Sequence, residues 1–122
     1  MILVDTGIWI DHLKTPDSHL AILGERLQAL VHPYVLGELA LGSLPNRARL
    51  LERMAGMPQP PLTRHAHVMQ LIEAEKLFST GIGYVDAHLL ASTRLLPGSR
   101  IWTRDGRLRA QAERLGVAYI PA

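Results

Sequence analysis

Apolar positions along this chain follow two rhythms: short β-branched runs, and longer stretches in which they recur every three or four residues. Ile2-Leu3-Val4 is of the first kind and predicts a buried strand. Asp5-Thr6-Gly7 turns it into a helix over about 7–13, and Pro16-Asp17-Ser18 punctuates before a second over about 19–28, with Leu20, Leu23 and Leu27 on one face. Leu30-Val31 reads as a short strand, Pro33 opens a helix to about Leu41, and Pro45 opens another over about 46–55. Met57 to Leu62, rich in proline, reads as a linker ending in an edge strand. Thr63 is placed to cap a helix from Arg64 to Phe78, and 79–83 is a flexible connection. Tyr84 to Leu96 is the next helix, stopped by Pro97-Gly98. Arg100 to Thr103 predicts a strand, Asp105 leads a helix carrying Leu108, Ala112 and Leu115, and Val117 to Ile120 predicts a last strand.

Strands alternating with helices predict an α/β fold with a short, mostly parallel sheet of 4–5 strands, and neither side of the proline-rich linker has a core of its own, so 1–122 reads as one domain. Sites in such sheets form beyond the carboxyl ends of the strands. Asp5 and Asp105 both sit at predicted strand ends, which brings two acids distant in sequence to one edge.

Composition narrows the chemistry. The absence of cysteine excludes a disulfide framework, a thiolate zinc site and a cysteine nucleophile, and it fits a reducing cytoplasm. No apolar run approaches the roughly 20 residues of a membrane span, and the start lacks the basic region of a signal peptide, so the expectation is a soluble cytoplasmic protein. The net charge is only +2, yet arginine supplies 11 of the 13 basic residues, a bias that suits bidentate contact with phosphate but also follows from codon usage.

Four acids draw attention: Asp5, Glu38, Asp86 and Asp105. Asp5 and Asp105 each precede a helix and would serve as N-caps, and Asp86 suits a first helical turn. Glu38 is the single charge in Tyr34 to Gly42, a segment apolar on nearly every face and therefore expected to be buried. There a carboxylate needs an arginine partner or a cation. Asp86 is likewise the single acid of Gly83 to Ala91. Two carboxylates about 5 Å apart repel by roughly 3 kcal/mol at an effective dielectric near 20. Four together would take up protons or recruit cations. Oxygen ligands without cysteine or a histidine signature select Mg²⁺ or Mn²⁺, as one ion or as a pair able to activate water at a phosphodiester. Thr6 and Thr103 are placed to orient a ligand, water or phosphate, or else bond only to backbone. Arg104 is a candidate phosphate clamp, while Arg107 and Arg109 read as a solvated helix face.

The pieces Leu3-Val4-Asp5-Thr6, Gly37-Glu38-Leu39, Asp86 to Ala91, and Trp102-Thr103-Arg104-Asp105 followed by Arg107-Leu108 together resemble the PIN-domain ribonucleases, and within them the VapC toxins of bacterial toxin–antitoxin pairs. The resemblance covers nearly the whole chain. It implies a three-layer α/β/α fold, a Mg²⁺ or Mn²⁺ site at Asp5, Glu38, Asp86 and Asp105, cleavage of RNA, a homodimer, and a cognate antitoxin that occludes the acidic site. Some relatives carry a further acid two residues past the fourth, where this chain has Arg107. Two rival readings are a phospho-acceptor module, which needs an acid pair and a late lysine that are missing, and a non-catalytic domain that binds RNA or a protein partner.

Overall fold

The computed structural model describes residues 1–121. Three parallel strands form the sheet in the order β2-β1-β3, with β1 at Ile2–Val4, β2 at Ala29–Leu30 and β3 at Arg100–Trp102. Leu3 pairs with Leu30 on one side and Ile101 on the other, and Val4 pairs with Trp102. Successive residues of a strand face opposite sides of the sheet. All of β1 is buried, so both faces are covered, and the α/β/α layering follows.

The helices are α1 (Thr6–Lys14), α2 (Ser18–Glu25), α3 (Pro33–Ala40), α4 (Arg47–Ala55), α5 (His65–Ala74), α6 (Tyr84–Leu95) and α7 (Gly106–Arg114). Asp17 caps α2 by accepting from the Leu20 amide, as expected. Among the described residues no helix is long and apolar enough to cross a membrane.

The sheet has fewer strands than the 4–5 expected. The segment 117–120 forms only an isolated bridge to Ile101. Arg100 and Trp102 direct their backbone bonds to β1, which leaves Ile101 alone to donate to Val117 O and accept from Tyr119 N. A three-residue strand has no second outward pair to offer. The segment after Met57 gives a single bond, Val31 N to Pro58 O, because the prolines at 58, 60 and 61 have no amide hydrogen for a ladder. Helix α5 stops at Ala74, short of the expected Phe78. Lys76 takes a positive φ of 52°, and the chain folds back to bury Leu77, whose amide donates to Ile72 O.

The buried histidines make acid sensitivity predictable. His32 caps α3, its Nδ1 accepting from the Tyr34 amide at 2.9 Å, and its ring is 2% exposed. Burial, then the neighbouring His88, lowers its pKa from 6.5 to about 4. Protonated Nδ1 would also point a hydrogen at an amide hydrogen. The unfolded chain takes up this proton below pH ~6.5 while the native state resists until about 4, so stability falls through that window as pH drops, by up to about 3 kcal/mol. His32→Asn keeps an acceptor for the cap and should flatten the fall. Equal urea-midpoint shifts between pH 7 and 4.5 in both proteins would contradict this account.

Candidate active site

Asp5 follows β1 directly. Its amide donates to Trp102 O, continuing the sheet, while its Oδ1 accepts from the Thr6 amide and its Oδ2 from the Thr103 hydroxyl, at 2.8 and 2.7 Å. Thr103, buried just past β3, also accepts from the Asp105 amide. Asp105 Oδ1 then accepts from the amides of Arg107 and Leu108 and caps α7. On the other side the Thr6 hydroxyl donates to Glu38 Oε1 at 2.7 Å, tying α1 to α3. Asp86, in the first turn of α6, accepts from the Gly83 amide through Oδ2 at 2.9 Å. The capping roles expected of Asp5 and Asp105 are present, Asp86 sits in the first turn of α6 and reaches back to the Gly83 amide, and these bonds use only part of each carboxylate. Glu38 Oε2, Asp86 Oδ1 and Asp105 Oδ2 have no protein partner among the described residues.

Half-burial raises the pKa of Asp86, the Gly83 bond opposes this, and the charges of Asp5, Asp105 and Glu38 raise it further. The three other acids therefore lie near enough for their charges to act on Asp86. Among the described residues none of these acids has an arginine or lysine in ion-pair contact; the ion pairs present use Glu75, Asp11 and Glu113. Among the described residues no three His, Asp or Glu side chains are placed to hold a metal ion together. Several oxygens of the four acids face hydroxyl and amide partners instead; in donor type, carboxylate oxygen alone, they match a hard cation.

Glu38 departs from expectation in one respect. It is exposed, because α3 buries only the stripe of Val35 and Leu39. Burial therefore does not compel it to find a cation; the neighbouring acids supply the repulsion. His88 is buried beneath Tyr34 and Tyr84, its ring 4.7 Å from each by centroids, and burial lowers its pKa. It faces aromatic rings and packs as core.

No family model matches the chain. Over 118 residues, 97% of this chain and 95% of the relative, it is 45% identical to a protein named Ribonuclease VapC32 in Mycobacterium tuberculosis, in both strain CDC 1551 / Oshkosh and strain ATCC 25618 / H37Rv. The chain belongs to the VapC ribonuclease family.

In this VapC-family chain the arginines around the acids are the part that sequence reasoning undervalued. Arg104, beside Asp105, reaches over α1 to Asp11 at 3.3 Å and lies against Gly7, where an added Cβ would stand 2.8 Å from its Nε. Arg107 lies against Gly81, where an added Cβ would be 2.8 Å from its Cδ. The sequence shows glycines at 7 and 81 and arginines after β3, with nothing local to pair them. Their spatial meeting depends on the fold.

Proposed function

We propose that this protein is a Mg²⁺- or Mn²⁺-dependent ribonuclease acting as the toxin of a toxin–antitoxin pair. What supports the reading is the run of hydrogen bonds that links Glu38 through Thr6 to Asp5 and through Thr103 to Asp105, together with the charges of all three acids acting on Asp86 and no basic side chain among the described residues paired to any of the four. The name of the 45% identical relative supports the activity class.

The residues that would hold the cation are these four acids, directly or through water. Bound there, a divalent ion acidifies water and neutralises charge at a phosphodiester. The chain's own contribution is positional. Thr103 and the Thr6 amide fix both oxygens of Asp5, the Thr6 hydroxyl fixes Glu38, and two amides of α7 fix Asp105. These bonds leave one free oxygen on each of Glu38, Asp86 and Asp105 for a ligand. Arg104, next to Asp105 in the chain, would contact a substrate phosphate. The free acids repel RNA, so the cation also admits the substrate.

The antitoxin and a second copy of the chain complete the proposed assembly. A cavity of about 460 Å³ between α1, α2 and α4, lined by Trp9, Leu20 and Met54 among others, suits an apolar partner segment. Leu41, 91% exposed at the end of α3, is a candidate dimer contact.

Cleavage of single-stranded RNA by the purified chain should require added Mg²⁺ or Mn²⁺ and stop in excess EDTA. Activity that survives chelation would overturn the metal-dependent reading. RNA binding without cleavage at any metal concentration would favour the non-catalytic alternative.

A further inference from the structure

Resting on the ribonuclease reading, we propose that Arg107 is a second phosphate anchor, seated on Gly81 and working with Arg104 to grip the phosphates that flank the scissile linkage. Arg107 is an exposed residue in the first turn of α7. Its amide is committed to Asp105 Oδ1 at 3.0 Å. Its side chain runs over Gly81, whose missing Cβ would stand 2.8 Å from Cδ, 3.1 Å from Nε and 3.3 Å from Nη1. Two residues on, the Gly83 amide holds Asp86 Oδ2. The guanidinium therefore lies between the capping turns of two of the four acids.

Its charge is uncommitted. Arg94 and Arg114 pair with Glu75, Arg109 with Glu113 and Arg104 with Asp11, whereas Arg107 has no carboxylate in ion-pair contact among the described residues. An arginine beside the turns of Asp105 and Asp86 that pairs with neither, and whose stem lies against a glycine, is prepared for an external anion. A guanidinium binds phosphate in a bidentate fork, and a stem already held loses less freedom on binding. A polyanion approaching an acidic cluster needs flanking positive charge to offset the repulsion.

Gly81 is required by its backbone and also gives Arg107 its seat. Its φ of +87° disfavours any side chain, and a Cβ there would displace Arg107. Gly7 repeats the second relation with Arg104. Two arginines are thus laid on two glycines, Gly7 at the start of α1 and Gly81 in the connection before α6. Arg104 shares its charge with Asp11 in an exposed pair of the kind that contributes little, so it can exchange that partner for a phosphate.

The test uses the full chain carrying Asp5→Asn, so that RNA is bound and not cut, and a short fluorescein-labelled single-stranded RNA titrated over a range of salt. Arg107→Gln should weaken binding about tenfold and lower the slope of log affinity against log salt by about 0.7, the loss of one phosphate contact. Arg107→Lys should keep the slope and lose several-fold in affinity. Gly81→Ala, retaining the charge, should weaken binding by displacing Arg107, with circular dichroism reporting the fold. Arg49→Gln, on the exposed face of α4, should change neither quantity. Unchanged affinity and slope in Arg107→Gln, or an equal loss in Arg49→Gln, overturns the anchor. Cleavage by the unsubstituted chain is read separately. If it cuts RNA while Arg107→Gln binds normally, the anchor alone falls; if it neither cuts nor binds RNA, the ribonuclease reading falls with it.

Discussion

Asp5→Asn should lower kcat/KM for RNA cleavage at least about a thousandfold, equivalent to about 4 kcal/mol of transition-state stabilisation. Asp5 is the acid whose two oxygens are both oriented by the chain, by the Thr6 amide and the Thr103 hydroxyl. Asn preserves the shape and an acceptor for the amide but removes the charge that attracts a cation. Thr103→Val, which frees one oxygen and retains the charge, should lose about 10- to 100-fold. The fold should survive Asp5→Asn. The Asp5 charge is among those raising the Asp86 pKa, so its removal relieves repulsion in the metal-free protein. The melting temperature without metal should hold or rise, and the rise on adding Mg²⁺ should shrink. Glu52→Gln, at an exposed position of α4, is the matched control. Asp11 is unsuitable for that purpose because it holds Arg104. Cleavage by Asp5→Asn within tenfold of the unsubstituted chain would exclude Asp5 from the cation site.

Leu3→Ala should destabilise the fold by about 2–5 kcal/mol, a large share of the total for a domain this size. Leu3 is fully buried in the central strand and pairs with both neighbours, so neither the sheet nor a covering helix can close over the space left behind. The melting temperature should fall by on the order of 10 °C. Leu41→Ala, at the other extreme of exposure, should change monomer stability by no more than about 0.5 kcal/mol. If Leu41→Ala instead lowers the melting temperature in a concentration-dependent way, Leu41 belongs to a subunit contact. A loss below about 1 kcal/mol in Leu3→Ala would mean that the sheet is not the centre of the core.

Much of the fold was legible because local patterns and tertiary packing agree. Ile2-Leu3-Val4, the Asp17 cap, the Pro33 start of α3 and the helix from Tyr84 stand where apolar rhythm and capping chemistry put them. Errors fell where backbone pairing decides the outcome. The segment 117–120 has strand composition, but a ladder needs a partner with outward backbone groups, and β3 offers them at Ile101 alone. Helix α5 ends early because burying Leu77 outweighs continuing the turn.

Reading along the chain was enough for the chemical inventory: four acids set in largely apolar or turn contexts, no cysteine, an arginine bias, and Asp5 and Asp105 at the ends of two predicted strands. Residue types and short-range periodicity carry that much, because they depend only on neighbours along the chain. The tertiary structure alone decided that Glu38 is exposed and reached by Thr6, that Thr103 orients Asp5 from 98 residues away, and that Arg104 and Arg107 rest on Gly7 and Gly81. Those relations come from strand register and helix docking, which join groups that no local pattern connects.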